Sequence, residues 1–84
     1  MASFIVNIEI MPHKELLDPQ GKAVTSGLKN IGFTQINNVR VGKFITFEIN
    51  ASDKDEAYKS AEKACKELLA NPIMESFHIV VIPA

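Results

Sequence analysis

The stretch Ser3-Phe4-Ile5-Val6-Asn7-Ile8-Glu9-Ile10-Met11 decides how this chain folds. Phe4, Val6, Ile8 and Ile10 fall on one face of an extended chain; Ile5, Asn7, Glu9 and Met11 fall on the other. That alternation predicts a strand with one face in a core. Pro12 closes it, because proline has no N–H to give to a ladder.

Downstream, Asp18 is placed to accept the unpaired N–H groups of a helix start, and Pro19 suits the first helical position. Val24, Leu28 and Ile31 recur at i, i+4 and i+7, which predicts a buried stripe. Gly32 reads as a left-handed C-terminal cap. Gly21 and Gly27 each weaken a helix by about 1 kcal/mol relative to alanine, so close packing or backbone approach is expected at both. Two strands are expected next, about Thr34 to Val41 and Lys43 to Asn50, with Gly42 as a tight reversal. A second helix is expected from about Asp53 to Leu69. Asp53 and Glu56 have capping-box spacing, Glu62 and Lys66 are placed for an ion pair, and Ala57, Ala61, Ala64, Cys65 and Leu68 form an apolar stripe. Asn71 and Pro72 stop it. A last strand runs from about Glu75 to Ile82.

The order βαββαβ predicts an α+β fold, a ferredoxin-like sandwich with a four-stranded antiparallel sheet and two helices on one face. With 84 residues, the chain makes a single domain over 1–84. The other sheet face would then carry Ile5, Met11, Val80 and Ile82, an apolar patch that predicts self-association.

Composition excludes several classes. Nine basic residues face ten acidic ones, interspersed along the chain, so there is no basic stripe for nucleic acid. No apolar run approaches the ~20 residues that span a bilayer. Met1 to Val6 has no basic leader and is followed early by polar Asn7 and Glu9, which predicts neither signal nor transit peptide. A single cysteine, Cys65, fits a reducing cytoplasm and lies on a buried stripe, where a thiol is unreactive. His13 and His78 belong to no ligand set, so no metal site and no catalytic residues are expected. Two spots remain as candidate binding elements. The turn Asp18-Pro19-Gln20-Gly21 is either a plain cap or a set of N–H donors for an anion or a partner backbone. Arg40, Gly42 and Lys43 are either a solvated hairpin or a small basic contact.

Those spots also carry a resemblance. The stretch Lys14-Glu15-Leu16-Leu17-Asp18-Pro19-Gln20-Gly21-Lys22-Ala23 is similar to the segment after the first strand in the PurS family, the small subunits of phosphoribosylformylglycinamidine synthase. Leu28-Lys29-Asn30-Ile31-Gly32-Phe33, Val39-Arg40-Val41-Gly42-Lys43 and Leu68-Leu69-Ala70-Asn71-Pro72-Ile73-Met74-Glu75 resemble later elements of that family. Together they cover nearly the whole chain. Ser76 departs from the acidic residue expected in many members.

The resemblance implies a non-catalytic subunit of de novo purine biosynthesis. It would associate with itself as a dimer or tetramer, and bridge a PurL-type synthetase and a PurQ-type glutaminase so that ammonia passes between them. No cofactor is expected on this chain; ATP and Mg would sit on the large partner. Asp18, Pro19, Gln20, Gly21, Arg40, Gly42 and Lys43 are the expected partner contacts. The same topology also serves small-molecule-binding regulatory domains, and acylphosphatase-type enzymes. The latter chemistry wants an arginine in the loop after the first strand, where this chain has His13 and Lys14.

Overall fold

Val6, Ile8 and Ile10 are completely buried, and the strand that carries them, β1 (Ala2–Pro12), is the centre of the sheet. The computed structural model describes residues 1–14 and 18–84. Glu15, Leu16 and Leu17, part of the motif quoted above and of the loop after β1, lie outside the described residues. After β1 come α1 (Pro19–Asn30), β2 (Lys43–Ala51), α2 (Lys54–Ala64), a π turn (Cys65–Leu69) and β3 (Glu75–Pro83).

Both outer strands run antiparallel to β1, in the order β2-β1-β3. Ile8 faces Ile45 on one side and Ile79 on the other. The inward face of this sheet packs under α2 through Ala57, Ala61 and Cys65, forming the core. Small residues along α2 let the helix approach the strands closely. Asp53 caps α2, accepting from Glu56 N at 2.8 Å. Glu62 and Lys66 pair at 3.8 Å as their spacing predicts. Burial pushes the Cys65 thiol up, with the Glu62 charge adding to it.

The sheet has three strands among the described residues, which corrects the expected four-stranded one. Residues 34–42 form no strand, and their donors explain why. Val39 N–H goes to Thr25 Oγ1 at 3.2 Å, and Val41 N–H goes to Asp18 Oδ2 at 3.0 Å. Donors turned toward α1 cannot serve a ladder on β2. Asn38 adds a left-handed kink, φ 56°. The reversal expected at Gly42 is instead a crossing. A Cβ there would overlap Met11 Sδ and the Ile10 carbonyl oxygen, so only glycine lets the chain pass this close to β1.

The buried stripe expected on α1 is also corrected. Val24 is 42 % exposed and Ile31 71 %, while Leu28 is half-buried. The helix ends as anticipated: Gly32 is left-handed, φ 107°, and Phe33 N–H reaches back to Leu28 O at 2.9 Å. What differs is placement. α1 makes almost no contact with the sheet and packs on residues 38–42 as a separate lobe. The molecule is accordingly long and thin, 52 × 26 × 14 Å, with a radius of gyration of 16.5 Å, against about 12 Å for a compact chain of this length. Gly27 has nothing within 4 Å of where a Cβ would stand, so the close approach expected there does not occur within the chain.

On the open face, Ile5 lies opposite Ile82, and Val80 opposite Asn7, so Ile5, Val80 and Ile82 adjoin. Met11 does not join them. The Glu9–His78 pair intervenes, and Met11 lies against Gly42.

Candidate functional site

The start of α1 organises the site. Asp18 uses both carboxylate oxygens: Oδ1 accepts from Gly21 N at 2.9 Å, and Oδ2 from Val41 N at 3.0 Å. One oxygen therefore caps the helix, and the other ties in a segment 23 residues away. Thr25 repeats the device one turn on. Its hydroxyl donates to Gly21 O at 2.8 Å and accepts from Val39 N. Between these ties, Gly21 is buried against the Val39 carbonyl, so closely that a Cβ would overlap it. This is the close approach that the glycine implied.

The result is a cleft of about 350 Å³ at one end of the sheet. Asp18, Pro19 and Gln20 line it from α1, and Val41, Gly42 and Lys43 line it from the approach to β2. Pro12 and Glu75, paired ends of β1 and β3, complete it. Lys43 Nζ stands 3.8 Å from Glu75 Oε1 and 3.5 Å from Leu69 O. The rim is thus charged and the walls carry two prolines. Such a groove suits a polar protein segment or a small polar molecule.

Of the seven expected contact residues, Asp18, Pro19, Gln20, Gly42 and Lys43 meet in this cleft. Gly21 lies buried beneath it, and Arg40 stands beside it, half-buried and near enough to Asp18 for its charge to act on the carboxyl. Sequence reading missed Pro12, Val41 and Glu75. In an antiparallel sheet the C-terminal end of β1 and the N-terminal ends of β2 and β3 share one edge, and following that rule would have brought these residues in. Among the described residues, no three His, Cys, Asp or Glu side chains come together as metal ligands. His13 is half-buried and His78 exposed.

The Asp18 tie is pH-dependent. Hydrogen bonds from Gly21 and then Val41 hold its carboxyl below the ordinary value, against partial desolvation; the Arg40 charge and Gln20 N–H add to the lowering. A carboxyl depressed in the native state contributes stability above its unfolded pKa of about 4, and loses it as the pH falls through the lower native value. As the pH falls below about 4, the Val41 amide is therefore expected to lose exchange protection before the β1 amides do. Asp18→Asn should flatten that dependence. Constant Val41 protection across the range would remove the tie from the account.

A family model for PurS, phosphoribosylformylglycinamidine (FGAM) synthase, matches residues 5–83. The phosphoribosylformylglycinamidine synthase subunit PurS of Synechocystis is 35% identical over 75 residues, covering 89% of this chain and 75% of its own. That of Thermotoga maritima is 32% identical over 79 residues, covering 94% and 96%. Among solved structures, a chain of PurLQS from Thermotoga maritima superposes with a TM-score of 0.88 at 30% identity, over 98% of this chain and 100% of that one.

Proposed function

The chain belongs to the PurS family, subunits of phosphoribosylformylglycinamidine synthase in purine biosynthesis, and on that premise we propose that it is the complex's non-catalytic bridge. It holds the synthetase and glutaminase subunits in contact, so that ammonia passes between them without escaping or protonating. The relative in PurLQS supports this partnership along the whole chain length. ATP and Mg bind on the synthetase subunit in this reading, and the complex works in the cytoplasm. Among the described residues, no helix is long and apolar enough to cross a membrane.

The observation that carries the reading is the cleft. Two segments far apart in sequence are fixed side by side by the Asp18 carboxylate, and they present Gln20 and Lys43 together at one rim. Rigid presentation lowers the entropy lost on binding.

A second copy of the chain belongs to the same reading. Val24, Ile31 and Phe33 are exposed around the displaced lobe, and the outer edge of β2 carries no further strand among the described residues. In a pair of copies, the lobe of each covers the uncovered flank of the other, and Ile5, Val80 and Ile82 add a second apolar contact. Copies joined in this way offer repeated surfaces to larger subunits, which adds avidity.

Glutamine-dependent amidation by the synthetase and glutaminase subunits, with and without this chain, tests the proposal. Activity that needs the chain supports it; full activity without the chain refutes it. Gln20→Ala and Lys43→Ala are expected to weaken assembly about tenfold each, roughly 1.4 kcal/mol, with the melting temperature unchanged. Undiminished assembly would take the cleft out of the interface.

A further inference from the structure

The end of α2 is wound in an unexpected way. Continued as an α-helix, the stripe of Ala57, Ala61 and Ala64 puts Leu68 in the core. The π turn at Cys65–Leu69 adds a residue to the turn. Leu69 packs against the core instead, and Leu68 is 84 % exposed. Two more apolar side chains follow, Ile73 at 83 % exposure and Met74 at 50 %.

Their turn is held firmly. Asn71 Oδ1 accepts from Ile73 N at 3.0 Å and Met74 N at 3.3 Å. Asn71 N donates to Glu75 Oε1 at 2.8 Å, and His13 N donates to Met74 O at 2.9 Å. Core packing does not require such a fixed display of Ile73. The three side chains offer on the order of 300–400 Å² of apolar surface, whereas a stable protein–protein interface buries roughly 800 Å² per partner. The patch alone is too small for that, and its size suits an anchor within a larger, mixed interface. It is continuous with the cleft, because the Glu75 carboxylate that fixes Asn71 also meets Lys43 at the rim.

We propose that Leu68, Ile73 and Met74 form the apolar anchor by which a different, larger protein docks at this end of the sheet. This rests on the cleft being the partner site. The partner presents an apolar socket, flanked by polar groups that meet Gln20 and Lys43. A second copy of this chain is the poorer occupant. Its exposed apolar residues, Val24, Ile31 and Phe33 on the lobe and Val80 and Ile82 on the open face, are engaged in the pairing proposed above, and its cleft, with Asp18, Lys43 and Glu75, and the groove at the start of α2 are charged.

The test uses the full chain carrying Leu68→Ser with Ile73→Ser, beside wild type and Lys43→Ala. Light scattering gives the mass of each alone, and titration with the synthetase and glutaminase subunits gives assembly. Both replaced side chains are exposed, so the fold should hold, as a thermal melt verifies. Expected is an unchanged self-associated mass and assembly weakened at least tenfold. Assembly as in wild type, or a smaller mass of the chain alone, overturns the anchor; the latter assigns the patch to a second copy. Loss with Lys43→Ala but not with the double variant leaves the cleft reading standing without the anchor. Wild type that binds neither subunit removes both.

Discussion

Gly21→Ala is expected to abolish assembly with the partner subunits while leaving the three-stranded sheet folded. The added Cβ would overlap the Val39 carbonyl oxygen and stand 2.7 Å from Asp18 Oδ2. Neither neighbour gives way cheaply. One is backbone, and the other is the oxygen that holds Val41. Overpacking of this kind costs about 1–3 kcal/mol, and here it falls on the ties between α1 and residues 38–42. Released, α1 carries Pro19 and Gln20 away from Lys43, and the cleft opens. Circular dichroism should retain the strand signal while light scattering shows no complex. Gly27→Ala is the matched control, since nothing lies within 4 Å of that position, and it should assemble normally. A Gly21→Ala variant that assembles like wild type would mean that partner binding does not depend on the clamp.

The largest loss of stability is expected from Ile8→Ala. Ile8 is fully buried on the central strand, between Ile45 and Ile79. Removing a buried isoleucine to alanine costs about 2–5 kcal/mol through lost transfer energy and the remaining cavity. A chain of this length holds only roughly 4–13 kcal/mol in total, so a large share goes. Denaturant unfolding at one fixed protein concentration measures it, because association with a second copy would otherwise shift the midpoint. A loss below about 1 kcal/mol would place the main core away from β1.

How much of this was legible in sequence follows from how local each signal is. The alternation of Phe4, Val6, Ile8 and Ile10 placed the central strand correctly, because a half-buried strand writes its period directly into the chain. Asp53 and Gly32 marked helix ends through chemistry confined to a few residues. Val24, Leu28 and Ile31 were misleading in a specific way. Helical periodicity identifies an apolar face without naming what covers it, and in this chain the sheet does not. Residues 34–42 have strand-like composition, yet Asp18 and Thr25 divert the donors of Val41 and Val39, an effect set by side chains 23 and 14 residues earlier. Leu68 fits the stripe of an α-helix, and only the π turn moves it outward. For the site, both candidate segments were visible as motifs. Their meeting, and the addition of Pro12 and Glu75, depended on strand register, which periodicity alone does not supply.

The outer edge of β2, bare among the described residues, has a consequence for solubility. Lys43-Phe44-Ile45-Thr46-Phe47-Glu48-Ile49-Asn50-Ala51 is a nine-residue strand, rich in β-branched and aromatic residues, with no proline to block it. Unpaired strands of this type are templates for indiscriminate stacking into fibrils. Only Lys43 and Glu48 act as charged gatekeepers along it. In the pairing of copies proposed above, the lobe of each covers this edge in the other, so self-association protects the chain's solubility before any larger partner is met.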